Sequence, residues 1–259
     1  MVYGELGSKA LKWATRFGFG LNPESMPSRV VITPLKVEEY FEDFQAAITG
    51  KGLTFERVDS SFLVRNKNKQ ALFCKGGIGA SNFADSSYIL CHLKNVEEII
   101  FLGTGGGLGE HVESADINIP SSCIRLDKVL EMILPPEAPA KADSYLAEKL
   151  KGLIENDVRD LGIKVHNGVH ATVPFFLSET KELLKDLQKK GALSVDMELS
   201  VLYALANYYH KKAAGIIRIG DLPLKGLPTW KSLTYKRGLK KEVHKKILNA
   251  VINYLFIKP

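Results

Sequence analysis

Three short stretches hold the residue types from which chemistry can be built: "FLGTGGGLGE" at 101–110, "SVDMELS" at 194–200 and "RIGDLP" at 218–223. The first sets five glycines in ten positions behind an apolar run. Bare backbone N–H groups in such a strand-to-loop turn can form a small anion-binding concavity, and the Thr104 hydroxyl adds a donor. The same glycines also suit a tight reversal beside a crowded core. Two nucleotide fingerprints fail on register. G-x-G-x-x-G breaks because Gly103 and Gly105 lead to Leu108, and no G-K-[ST] closes a phosphate loop.

In the second stretch Asp196 and Glu198 flank Met197, where an apolar strand gives way to a helix. An acid at Asp196 can cap that helix. Glu198 has a sharper use, since a carboxylate accepts from two vicinal hydroxyls at once and so suits a ribose 2′,3′-diol, with the Met197 thioether packing on the sugar face. Asp221 ends the apolar run "AAGIIRIG". Before "LP" it is ordinary turn material. Partly buried, it becomes a carboxyl group with a raised pKa, suited to general-acid work near neutral pH.

The elements around these residues alternate between short apolar runs and longer periodic segments. Strands are expected at 29–34, at "LTFERV", "SFLVRN" and "QALFCKG", at 97–103, "ADINIP", 164–173, "LSVDME" and "AAGIIRIGD". Helices are expected at 37–48, at 81–93 with a Ser or Asn cap, at 143–162 stopped by Gly162, at 178–191 opening on Ser178, at "LSVLYALANYYH" and along the basic tail. This pattern gives an α/β fold, a mixed sheet flanked by helices on both sides, with ligands expected at the carboxyl ends of the strands. Residues 1–28 read as a leader and 29–259 as one domain.

Composition sets outer bounds. The chain has 259 residues, 45% of them hydrophobic and 25% charged, enough for a substantial core. Its 35 basic and 29 acidic residues leave a net charge of +6, which suits anionic ligands. Nucleic acid is not indicated, because no aromatic residues interleave with the basic ones. Three cysteines without C-x-x-C spacing indicate neither a disulfide framework nor a zinc knuckle, and the six histidines lack metal-ligand spacing. His166 and His170 read as alternating on one face of a strand. No run of about 18 apolar residues suggests a membrane span, so a cytoplasmic protein is expected.

Taken together, "GTGGGL" with "ESADINIP", "VDMEL" and "RIGDLP" resemble the nucleoside phosphorylase and nucleosidase superfamily, of the uridine phosphorylase and hexameric purine nucleoside phosphorylase type. The resemblance runs over roughly 29–255 and implies that family's three-layer fold. It implies that Thr104 with the backbone of Gly103 and Gly105 touches phosphate, that Gly106 borders the base and that Phe176 lies against it. Met197 and Glu198 would hold the ribose with Asp196 in support, and Asp221 would protonate N7 of a departing purine. Uridine-specific relatives use a Gln and Arg pair that "FFLSETKELLK" lacks, so purines are favoured. The expected reaction is phosphate-dependent cleavage of the N-glycosidic bond, with inorganic phosphate as co-substrate, no other cofactor and no metal. The expected partners are nucleoside and phosphate, in a homo-oligomer built from dimers, with a hexamer as one form.

The departures lie at the phosphate end. Where phosphorylases of this type carry "G-D-P-x-R", this chain has Ile32 for the glycine and Lys36 for the arginine, and Phe101 stands where another arginine is usual. Hydrolytic relatives that split methylthioadenosine or adenosylhomocysteine lack these arginines too and use a Glu as water-activating base, a place near Glu38. A nucleosidase and a non-catalytic nucleoside-binding relative are therefore the alternatives.

Overall fold

A computed structural model describes residues 7–34 and 41–257, with residues 41–44 described as backbone only. The organising element is β5 (Glu98–Gly107). Along one edge it pairs in parallel with β11 (Lys212–Asp221), from Glu98 through Gly106. Along the other edge β1 (Arg29–Thr33) runs parallel as far as Phe101, and β10 (Ala192–Asp196) takes over antiparallel at Gly106 and Gly107. Beyond β1 lie β4 (Gln70–Lys75), β3 (Ser61–Arg65) and β2 (Thr54–Val58). Beyond β10 lie β9 (Val169–Thr172) and β7 (Ser122–Arg125). The short β6 (Ile117–Asn118) joins β11 to β8 (Val165–His166). The sheet therefore forks at β5, and between Phe101 and Gly106 no described strand pairs with its second edge.

Strand alternation builds two cores at once. Ile99 and Phe101 face one side with Val30 and Ile32, while Ile100 and Leu102 face the other with Val31. The first side is covered by α1 (Ser8–Phe19), α3 (Ala80–His92) and α6 (Leu199–Tyr208). The second is covered by α2 (Phe41–Ile48), α4 (Ser144–Val158) and α8 (Arg237–Ile252). This is the three-layer α/β arrangement that the alternating pattern implies. A smaller cluster seats α5 (Lys181–Lys189) through Leu184 and Leu187 against Ala171 and Val195. Within the first 28 residues α1 sends Phe19 into the core, fully buried, and Met26 follows it. Among the described residues no helix is long and apolar enough to cross a membrane.

The largest departure from the sequence reading is the glycine stretch, which is no loop: Thr104–Gly107 continue β5 as strand. What the glycines permit is close crossing. A Cβ on Gly105 would lie 2.3 Å from the Val195 carbonyl oxygen, and one on Gly107 would lie 2.7 Å from Leu222 Cδ2. Glycine inside a strand marks such an approach of backbone to neighbour. The expected crowding is real; the expected reversal is not.

Other boundaries shift for identifiable reasons. The run 164–173 is two strands, because β8 pairs with β6 while β9 pairs with β10 and β7. The break falls at Gly168, whose N–H donates to the Asn118 side chain. The helix expected from Ser178 begins later, since the Thr180 hydroxyl accepts the Leu183 N–H at its first turn; Phe176–Ser178 form a separate 3-10 turn. Gly79, not Ser or Asn, precedes α3, with φ +84. α4 is capped by Asp143, tightens into a 3-10 turn after Val158 and stops at Gly162 in the left-handed region, φ +65.

The contrast between crowded and open glycines is testable. Gly105→Ala should lower the unfolding free energy by roughly 3 kcal/mol, since backbone must move to admit the methyl group. Gly152→Ala in exposed α4, where a Cβ meets nothing within 4 Å, should raise it by roughly 0.5–1 kcal/mol. Urea denaturation of the two variants measures both.

Candidate active site

At the fork, the second half of β5 and the carboxyl ends of β10 and β11 surround a cleft of about 310 Å³. Its walls bring together Thr104, Gly105 and Gly106 of β5, Asp196, Met197 and Glu198 at the end of β10, Asp221 at the end of β11, and Phe176 on the turn before α5. Gly103 lies one step below, lining with Thr104 a separate void of about 30 Å³. Lys36 and Glu38 lie outside the described residues.

Glu198 is held by backbone donors. Its Oε1 accepts the Gly79 N–H at 2.7 Å and its Oε2 the Met197 N–H at 3.2 Å. Burial, then the neighbouring Asp196, pushes its pKa well above the usual carboxylate range, while both N–H donors oppose the rise. Asp196 does what the capping reading requires, taking the N–H groups of Glu198 and Leu199 at the start of α6. It also accepts the Thr172 hydroxyl at 2.7 Å, and His170 Nε2 stands 2.9 Å from the same oxygen.

His170 corrects the sequence reading, because it does not decorate a face. It is wholly buried, its Nδ1 is 2.7 Å from the Ser194 hydroxyl, and that hydroxyl also accepts the Asn118 amide. The cause is the break at Gly168, which places β9 between β7 and β10 and takes His170 away from the outlook of His166. His166 instead lies 2.9 Å from Asp116 at the rim of the sheet. Among the described residues no group of His, Cys, Asp or Glu is arranged to hold a metal ion.

Asp221 is nearly buried and accepts the Thr229 hydroxyl at 2.9 Å. Burial raises its pKa; that hydrogen bond and the charge of Lys240 hold the rise in check. Lys240 donates to the Ser232 carbonyl at 2.8 Å, and burial together with Arg218 lowers its own pKa. Glu179 brings a further carboxyl group to the cleft, pushed up to about 7 by burial and then by Asp221 and Asp196. The cleft thus keeps protons on its acids closer to neutrality than water would.

Sequence reasoning missed Glu179, Arg218, Thr229 and Lys240. Arg218 sits opposite Thr104 in the β5–β11 register and lines the same cleft. Its signal was present: a lone arginine within "AAGIIRIGD" interrupts an apolar strand buried on both faces. Phe101 and Ile32, in contrast, are core. Both are fully buried, and the Phe101 ring meets Phe83 edge-on at 5.3 Å. The arrangement brings two cations, a carboxylate able to meet a diol, and an acid of raised pKa near an aromatic ring into one cleft.

The family model of the phosphorylase superfamily matches residues 28–253. A DeoD-type purine nucleoside phosphorylase of Buchnera aphidicola subsp. Baizongia pistaciae is 32% identical over 132 residues, 51% of this chain and 54% of that one. The aligned part thus spans about half the length of that relative. A counterpart from Mycoplasma pneumoniae is 26% identical over 161 residues, 62% of this chain and 67% of its own. Among solved structures, purine nucleoside phosphorylase from Toxoplasma gondii superposes with a TM-score of 0.70 at 21% identity, covering 90% of this chain and 94% of that one. Uridine phosphorylase from Vibrio fischeri ES114 does so at 0.68 and 15%, covering 98% and 97%. At these identities the likeness is one of fold.

The raised pKa values set a pH dependence of stability. Folded-state values of Glu198, Glu179 and Asp221 above those of the unfolded chain mean that the folded protein binds more protons between the two. The contribution of these three groups to stability is then fully present at low pH, below the unfolded values, and is lost as pH rises through about 7. Thermal melts of the ligand-free protein should show this fall. Glu198→Gln should flatten it and raise Tm at pH 8 by roughly 5 °C.

Proposed function

The chain belongs to the phosphorylase superfamily, and from that premise we propose that it cleaves the N-glycosidic bond of purine nucleosides with inorganic phosphate, giving free base and ribose 1-phosphate. The observation that carries the reading is that Arg218, Glu198 and Asp221 line one cleft. In this mechanism Thr104 and Arg218, opposite each other in the β5–β11 register, hold phosphate, for which guanidinium geometry is suited. Glu198 accepts the two ribose hydroxyls beside Met197. A phosphate oxygen attacks the anomeric carbon as the C–N bond breaks, its electron pair goes to the base, and Asp221 gives N7 its proton. Phe176 lies against the base. Asp196 and His170 act behind this set, fixing the turn that presents Glu198. No cofactor other than phosphate enters the reaction.

Purine rather than pyrimidine is supported by the acid at Asp221 and by the absence of a Gln and Arg pair from "FFLSETKELLK". The burial of Phe101 and Ile32, where the resemblance implies an arginine and a glycine, favours a second reading in which water is the nucleophile. Arg218 weighs against it by supplying a cation from a different strand. A homo-oligomer built from dimers belongs to the same proposal. Trp13 and Phe17, stacked at 5.2 Å and mostly exposed on α1, offer apolar surface for a second copy.

Incubation with inosine or adenosine, with and without phosphate, tests the reaction. Ribose 1-phosphate should form only with phosphate; free ribose at equal rates without it would overturn phosphorolysis. Asp221→Asn should lower kcat by roughly 10²–10⁴-fold with little change in nucleoside KM. Arg218→Met should raise the KM for phosphate at least tenfold while leaving that for nucleoside nearly unchanged, about the loss of one charge-assisted hydrogen bond.

A further inference from the structure

The cleft does not end at Phe176. Past a neck formed by Phe176, Glu179, Asp221 and Thr229, which line both spaces, lies a second chamber of about 370 Å³. Its walls are mostly apolar: Leu177 and Leu184 on one side, Pro223, Leu224 and Trp230 on the other. Leu184 is buried and anchors the floor, while Leu177 and Trp230 stand exposed at the rim. The established parts of the cleft leave this chamber without a role.

The neck has its own chemistry. The Glu179 side chain makes no hydrogen bond or ion pair among the described residues, yet its carboxyl group stands near enough to Asp221 for the two to interact electrostatically. A ligand that passes the neck therefore meets an acceptor there and hydrocarbon beyond. On the purine ring the 6-position is the neighbour of N7, so a base that presents N7 to Asp221 and a face to Phe176 directs its 6-substituent to this neck. Above about pH 7, where the Glu179 carboxyl group is ionised, a 6-oxo group sets one acceptor against another. A 6-amino group donates, and a substituted amino group still keeps one N–H to donate.

We propose that the base subsite extends through this neck, and that the protein accepts 6-aminopurine nucleosides bearing an apolar group on the amino nitrogen, with the remaining N–H donating to Glu179 and the apolar group filling the chamber. The inference rests on the purine nucleoside reading above and narrows its substrate class. An apolar substituent leaves water for a concave apolar site, and a donor lost at the neck leaves a half-buried acceptor unmatched.

Adenosine, inosine and N6-benzyladenosine serve as probes, with kcat/KM measured for the parent protein and for Leu177→Trp and Glu179→Gln. The parent should turn over N6-benzyladenosine within about tenfold of adenosine. Leu177→Trp, at an exposed rim position, should lower turnover of the benzyl compound at least tenfold and leave adenosine within about twofold. Glu179→Gln should lower the adenosine-to-inosine ratio at least fivefold, which a merely structural change would not do. A protein active on adenosine that refuses N6-benzyladenosine, or variants that leave both ratios unchanged, would overturn the inference alone. A protein inactive on all three compounds would overturn the parent reading instead.

Discussion

The contact on which the rest of the molecule depends is the crossing of β5 between β10 and β11, with Gly105 pressed toward the Val195 carbonyl oxygen and Gly107 toward Leu222. A side chain at either place would push the strands apart. Because none is there, one strand serves two sheets' worth of partners: β1 along its first half, β10 at its end and β11 throughout. The change of partner leaves one edge of residues 102–105 without a pairing strand among the described residues, and the cleft opens in that gap. The glycines do not cradle a ligand by turning back on themselves; they let three backbones approach closely enough for their ends to share a site.

The electrostatics follow from the same geometry. β10 and β11 both terminate at the gap, so each delivers its last acid, Asp196 with Glu198 and Asp221, into space that the helices shield from water. Burial is the largest cause of the raised pKa at Glu198, Glu179 and Asp221. Arg218 on β11 and Lys240 on α8 line the same cleft, and the charge of Lys240 acts on Asp221. Holding these carboxyl groups in a half-dry cleft costs stability, as groups with perturbed pKa values at candidate functional sites commonly do.

Much of this was legible in the sequence, and the reasons differ by residue. Short continuous apolar runs identified the strands because both faces of this sheet are buried, and 3.6-residue stripes identified the helices on either side. Asp196, Glu198 and Asp221 stood out because acids at the ends of apolar strands are rare and fall where such sheets bind ligands. Thr229, Lys240 and Glu179 did not, since nothing local brings them near β11; the turn Leu222–Leu227 folds short helix α7 (Thr229–Ser232) back over Asp221, and α5 arrives from another cluster. The glycine stretch was misread because local rules treat clustered glycine as a breaker, whereas here the limiting distance is to residues some ninety positions away. His170 was misjudged for a related reason: parity along a strand predicts a shared face only while the strand keeps the same partners.

The hydrogen bond from the Gly79 N–H to Glu198 ties the start of α3 to the end of β10, across 119 positions of chain. A closure of that span carries more loop-closure entropy than a local contact does. Synthesis from the N-terminus delivers Gly79 long before its acceptor exists. An emerging or nicked chain that stops short of Glu198 therefore has the central strand, the glycines and Thr104, yet lacks the carboxylate that this N–H holds. On the proposed reading, the diol end of the cleft is completed only by chain made well after its glycine wall.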